Sequence, residues 1–167
     1  MKLILAPAAL VALAPASAFA VNYLSPEQAA RLMFPDADRF DALMLAPEGG
    51  GRPLAMRVAR KGDAVLGYVV LDEVIGKVEL ISYAVGIATD GSVKQVEILA
   101  YRESHGGEIR MPAWRKQFIG KTAAAPIRVG EDIANISGAT LSCTHVTDGV
   151  RRIVGALGAA RRAGTLW

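Results

Sequence analysis

Ser137-Gly138-Ala139-Thr140-Leu141-Ser142 is the stretch of this chain best suited to chemistry, because it gathers hydroxyl and very small residues where the last long helical pattern begins. A helix starting there presents unpaired backbone N–H groups and a partial positive charge, a natural seat for phosphate. Gly138 and Ala139 would let a ligand come close to the backbone, and Ser137, Thr140 and Ser142 add hydroxyls. The simplest use of such residues is to cap the helix, and on residue types alone that use comes first. No base stands beside Thr140 in sequence, so its hydroxyl is a poor self-activated nucleophile. A covalent group on it would have to be put there by another enzyme.

A second polar stretch, Tyr101-Arg102-Glu103-Ser104-His105-Gly106-Gly107-Glu108-Ile109, reads as a glycine-containing connection. Polar residues are the norm in connections, so a plain surface turn is one reading of it. His105 is taken as a solvated loop residue rather than a proton relay. Cys143 and His145 are two apart on a helix, so they point to different faces and do not share a metal. The chain has a single cysteine, which excludes an intramolecular disulfide and a structural zinc site. Cys143 is expected to be a small packing residue; exposed in an oxidising compartment it would be a dimer-forming thiol. Asp148 and Arg152 are spaced for a salt bridge along the helix.

The elements that must position these residues follow from the pattern of the chain. Lys2, an uncharged apolar run to Phe19 and the ending Ala18-Phe19-Ala20 predict a secretory signal peptide over residues 1–20, with the mature chain starting near Val21. Ser25-Pro26-Glu27-Gln28 predicts a capped helix start, with the helix running to Met33 and stopping before Pro35. Arg39 to Leu45 is a candidate strand, followed by a loop at Pro47 to Gly51. Leu54 to Arg60, Ala64 to Val74, Glu79 to Thr89 and Val93 to Tyr101 are rich in Val, Ile and Tyr and predict an antiparallel meander. Thr89-Asp90-Gly91-Ser92 is its clearest hairpin turn. A short helix is expected from about Pro112, with Trp114 and Phe118 on one face and more suited to the core than to stacking on a ligand. Val129 to Ile136 is irregular or a short strand. The last helix should run from near Thr140 to about Ala160, with Leu141, Val150, Ile153, Val154 and Leu157 in its apolar stripe and Arg151, Arg152, Arg161 and Arg162 on its outer face or near its end.

Composition narrows the function classes. The chain has 167 residues, 52% of them hydrophobic, which suits one domain with a real core. Its formal charge of +3 is spread along the sequence, and only 6% of residues are aromatic. A nucleic-acid surface would need a concentrated basic patch, so nucleic acid is not an expected partner. The fold class expected is α+β, an antiparallel β-sheet flanked by helices after the signal peptide. Residues 21–65 supply a helix and the first strands, and residues 66–160 the core of the domain.

Ser137-Gly138-Ala139-Thr140-Leu141-Ser142 resembles the signature of the FMN-binding domain family. That family includes the flavin-carrying subunits of the sodium-pumping quinone reductase and of the Rnf complex, and smaller exported proteins. The resemblance also takes in Val93 to Tyr101, the segment Arg102 to Ile109, and Trp114 with Gln117-Phe118-Ile119-Gly120-Lys121, in the same order, and so spans roughly Leu66 to Ala156. It implies FMN as cofactor, joined by a phosphoester to Thr140 through the action of a dedicated flavin transferase. Ser137, Gly138, Ala139, Leu141 and Ser142 would surround the attachment point, while Glu103, Ser104 and Gly106 would line the flavin edge. The family usually has an aspartate six residues before the modified threonine; this chain has Ala134 there, with Asp132 and Asn135 close by. What the resemblance implies overall is an exported, periplasmic or membrane-associated flavoprotein that carries electrons for a redox protein or a membrane electron-transport complex rather than converting a substrate. The alternatives are a flavin-binding sensor or accessory domain of such a complex, and a cofactor-free interaction module.

Overall fold

Runs of branched and aromatic residues separated by glycine- and aspartate-bearing turns become a six-stranded antiparallel sheet in the structure, a computed structural model that describes residues 21–166. The expected signal peptide, residues 1–20, lies outside the described residues. The strands are β1 (Val21–Asn22), β2 (Arg39–Leu45), β3 (Leu54–Lys61), β4 (Ala64–Ile75), β5 (Leu80–Ala88) and β6 (Val93–Tyr101). Their spatial order is β1-β6-β5-β4-β3-β2, so β2 to β6 form a meander and β1 returns beside β6. The helices are α1 (Pro26–Met33), α2 (Pro112–Arg115) and α3 (Thr140–Arg162), with 3-10 turns at Gly107–Arg110 and Lys116–Phe118. Among the described residues, no helix is long and apolar enough to cross a membrane.

Each face of the sheet has its own cover. On one face Ala29, Ala30, Met33 and Phe34 pack with Ala59, Val69, Ala84 and Leu99. The start of α1 is the expected capping box: Ser25 accepts from the Gln28 N–H, and the Gln28 side chain accepts from the Ser25 N–H. On the other face α3, α2 and their connections cover Met56, Val70, Tyr83, Val85, Val96 and Ile98. Double cover explains why β4, β5 and β6 are almost continuously apolar, whereas β3 alternates through Leu54, Met56 and Val58. Trp114 and Phe118 are core residues as expected, meeting edge to face with ring centroids 5.1 Å apart.

Two features of the sheet prepare the site. Ile98 pairs with Tyr83 and Ala100 with Ser82, which leaves Leu99 as a bulged residue in β6. A bulge reverses the side-chain alternation beyond it. Tyr101 therefore joins the cluster on the α3 face, while Leu99 packs against α1. The second feature is the seating of α3. Cys143, Val146, Val150, Ile153, Val154, Leu157 and Ala160 are its buried stripe. Leu141 does not belong to that stripe and is exposed. It precedes Cys143 by two residues and so points about 200° away around the helix.

Candidate functional site

The direction of α3 is set where it crosses β4 and β5. Gly149 is buried against Tyr83, and a Cβ there would overlap the Tyr83 hydroxyl, so glycine is what permits the close approach. The Tyr83 hydroxyl donates to the carboxylate of Asp72, which is 5% exposed. Arg52 donates to the same carboxylate, as does Arg152 at 2.5 Å. A buried carboxylate needs such donors, because an unpaired charge in the interior is strongly destabilising. Burial pushes the Tyr83 hydroxyl far above its ordinary pKa despite the neighbouring charges of Arg152 and Arg52. The expected Asp148–Arg152 bridge does not form. Asp148 pairs with Arg151 at 2.7 Å, and Arg152 turns to Asp72, the more demanding partner because it is buried.

Anchored in this way, α3 points its first turn into a cleft of about 420 Å³ lined by Lys77, Glu103, Ser104, His105 and the run Gly138 to Ser142. The expected hydroxyl cap is absent. Ala139 holds the cap position, and no side chain accepts from the first turn. The first bond of the helix is from the Cys143 N–H to the Ala139 carbonyl at 2.9 Å. The N–H groups of Thr140, Leu141 and Ser142 are thus left to whatever occupies the cleft, where the helix dipole favours an anion. Thr140 is exposed, and its hydroxyl oxygen accepts from the Asn135 side-chain amide at 3.1 Å.

Lys77 is the residue of this cleft that the sequence did not single out. It lies in the turn between β4 and β5, and two clamps hold that turn beside α3. One Glu103 carboxylate oxygen accepts from the N–H groups of Val78 at 2.6 Å and Glu79 at 2.9 Å. His145 Nδ1 lies 2.6 Å from the Ile75 carbonyl oxygen and 3.0 Å from that of Gly76, so that ring nitrogen carries the proton. Partial desolvation alone would raise the pKa of Glu103; the N–H groups of Val78, Glu79 and Lys77 and the Lys77 charge outweigh it and hold the pKa below its ordinary value. Glu103 does line the cleft, but its carboxylate is committed to the turn.

The other predicted residues lie close by, and some are similarly committed. Gly106 takes a left-handed φ of 91°, and a Cβ on it would stand 2.5 Å from the Tyr101 hydroxyl and 3.1 Å from Ala139 Cβ. Glycine there lets the loop after β6 close against the start of α3. Tyr101 donates to the His105 carbonyl, and its hydroxyl is 3.0 Å from that of Ser142. Burial raises the pKa of Tyr101, although its bond to Ser142 opposes the shift. The Ser142 hydroxyl is therefore engaged behind the site rather than open to the cleft. Ser104 and His105 are exposed, with Ser104 Oγ 2.9 Å from His105 Nδ1. A second cleft, of about 880 Å³, shares Ser104, His105 and Gly138 with the first and adds Gly106, Ser137, Tyr23, Arg110 and Arg115. Every predicted site residue thus borders one of two adjacent clefts, whose sizes suit a small-molecule ligand. Cys143 is fully buried, as a packing residue should be, and burial raises its pKa.

The chain reaches Thr140 through a tightly held loop. Asp132 accepts from Lys121 Nζ at 2.7 Å, from the Arg128 N–H at 2.8 Å and from the Ile127 N–H at 3.2 Å. Desolvation opposes ionisation of Asp132, but these donors bring its pKa down to about 2. They also stabilise the left-handed backbone of Ile127, φ 45°, which is costly for a β-branched residue. The carboxylate nearest Ala134 in sequence is thus occupied. Ala134 donates its N–H to Gln117 at 2.7 Å and accepts from the Trp114 indole at 2.8 Å.

Residues 76–155 match the family model of the FMN-binding domain. The match runs from the turn that carries Lys77 to beyond the middle of α3 and includes every predicted site residue. No curated protein matches the chain.

Proposed function

We infer from the match of residues 76–155 to the FMN-binding domain family, which indicates FMN as the cofactor, that this chain is an exported electron carrier whose FMN is esterified to Thr140. The observation that carries the proposal is the first turn of α3. It has no side-chain cap, and its exposed Thr140 lines the same cleft as Lys77. An uncapped helix start beside a lysine is what a phosphate requires.

When bound, FMN supplies reversible uptake and release of electrons. The protein's own contribution is to hold and to orient. The N–H groups of Thr140, Leu141 and Ser142 and the Lys77 ammonium receive the phosphate. Gly138 and Ala139 give it access to the backbone. The loop Ser104 to Gly106 and the larger cleft beside it would hold the rest of the cofactor. A covalent bond suits an exported protein, because a cofactor lost outside the cytoplasm is not easily regained. The bond calls for a flavin transferase as one partner, and electron transfer calls for a redox protein or membrane electron-transport complex as another.

A second reading, FMN seated in the same place without the ester bond, is favoured by Ala134 standing where the family usually has aspartate. One experiment separates the two. The full chain is coexpressed with a flavin transferase, as wild type and as Thr140→Ala, and followed by intact mass and by flavin fluorescence in denaturing gels. The ester reading expects wild-type mass to rise by one FMN unit and Thr140→Ala to remain unlabelled. Flavin that copurifies with the wild type but is released on denaturation would establish the second reading, and label surviving in Thr140→Ala would move the bond elsewhere. The same masses show whether residues 1–20 are removed.

A further inference from the structure

We propose that Asn135 is the positioning residue for the attachment of FMN, holding the Thr140 hydroxyl so that its proton and one lone pair face the incoming transferase. The inference rests on the esterified-Thr140 reading above. Its basis is a contact that neither the sequence motif nor the family match supplies. Asn135 Nδ2 donates to Thr140 Oγ1 across 3.1 Å, both residues are exposed, and Thr140 lines the cleft.

An exposed threonine hydroxyl ordinarily has rotational freedom, and a flexible partner would not restrict it. Asn135 is not a flexible partner. The residue before it is tied at both backbone groups, by Gln117 to its N–H and by Trp114 to its carbonyl. Trp114 is buried, so this tie runs into the core. On the far side the Ala139 N–H bonds back to the Ile136 carbonyl at 3.0 Å, which closes the turn between Asn135 and Thr140. The amide is thus delivered from a backbone braced at both ends. Because it donates to Oγ1, the Thr140 proton must point away from Asn135. Asp132 has no such capacity, since its oxygens are taken by Lys121, Arg128 and Ile127.

The step served is a phosphoryl transfer from a phosphoanhydride of FMN, the class to which FAD belongs. Thr140 Oγ1 forms a bond to the FMN phosphorus while the anhydride P–O bond breaks. AMP leaves with the bridging oxygen, and the hydroxyl proton passes to a base of the transferase. No electrons are exchanged. Asn135 takes no proton and touches no reacting phosphorus; its part is to reduce the misoriented states of the nucleophile, a kind of contribution that orientation makes large.

The test compares wild type, Asn135→Ala, Asn135→Asp and Thr140→Ala as full chains, incubated with purified transferase, magnesium and FAD and followed by intact mass. Asn135→Ala should lose about tenfold or more in the maximal rate of labelling, with its KM for transferase unchanged. Asn135→Asp should be as slow as Asn135→Ala or slower, because its carboxylate can only accept from the Thr140 hydroxyl and so turns the proton away from the transferase. A second measurement needs no transferase: three-bond NMR couplings of Thr140 should report one side-chain rotamer in the wild type and averaging in Asn135→Ala. Asn135→Ala labelled at the wild-type rate, a defect confined to KM, an aspartate variant as fast as wild type, or unchanged couplings would each overturn the proposal. Failure is separable from failure of the ester reading. A wild type that takes no label overturns both, whereas equal labelling of wild type and Asn135→Ala overturns only the assignment of Asn135.

Discussion

Gly149→Ala should destabilise the protein although it replaces a poor helix former with the best one. In a free helix the exchange would gain about 1 kcal/mol. In α3 the new methyl would overlap the Tyr83 hydroxyl and stand 3.0 Å from its ring carbon Cζ and 3.3 Å from Val74 Cγ1. Overpacking of this kind costs about 1–3 kcal/mol. Moving Tyr83 aside would also weaken its bond to the buried Asp72 carboxylate, a charged hydrogen bond of about 1.5–3 kcal/mol. The expected net loss is roughly 2–4 kcal/mol, which for a chain of this length lowers Tm by roughly 5–15 °C. Urea unfolding followed by tryptophan fluorescence measures it directly. Gly155→Ala is the matched control: it lies on the same helix with nothing within 4 Å of the added Cβ, and should gain up to about 1 kcal/mol. In a Tyr83→Phe background, which removes the overlapping oxygen, Gly149→Ala should cost at least about 1 kcal/mol less. The argument is refuted if Gly149→Ala lies within about 0.5 kcal/mol of wild type or behaves like Gly155→Ala.

Other expectations address the cleft directly. In a Thr140→Ala background, Lys77→Ala should weaken non-covalent FMN binding by roughly tenfold, equivalent to about 1.4 kcal/mol, with the difference shrinking as salt rises; fluorescence titration at two salt concentrations measures it, and a salt-independent affinity would remove Lys77 from the phosphate site. Glu103→Gln should speed amide hydrogen exchange at Val78 and Glu79, because the charged acceptor of both N–H groups is lost; unchanged exchange would show that Glu103 does not hold the turn. Asp132 has a folded-state pKa of about 2 against about 3.9 when unfolded. Its stabilising contribution is therefore complete above about pH 4 and is lost as pH falls toward 2. Asp132→Asn should lack that component of acid destabilisation, and parallel pH profiles for variant and wild type between pH 2 and 5 would count against it. Gly106→Ala should cost roughly 1–3 kcal/mol from its positive φ alone and should lower FMN occupancy, read as the ratio of flavin to protein absorbance.

The sequence by itself determined the local elements. Ser25 to Gln28 carries its own capping box, Asp90-Gly91 its own turn, and the branched runs from Leu54 to Tyr101 their own strands, because each depends on neighbours only a few residues away. The resemblance to the FMN-binding domain family was legible for the same reason, as a short string with ordered segments upstream, and the family match over residues 76–155 agrees with it. What the tertiary structure decided is how that string is presented. Serine and threonine near a helix start normally mean a cap, yet here Ala139 takes the cap position and leaves the first turn open. Leu99 bulges out of β6, which turns Tyr101 toward Ser142, and no local pattern announces a bulge that exists only against β5. Lys77 and Thr140 are far apart in sequence and line one cleft because Glu103 and His145 pin the β4–β5 turn beside α3. Arg152 was assigned to Asp148 by spacing along the helix, and was drawn instead to Asp72, because a carboxylate in the interior competes for a cation more strongly than one in water. Helix caps, turns and strands are settled over a few residues; the proposed phosphate seat depends on charges and N–H groups that only the packing of α3 on the sheet brings together.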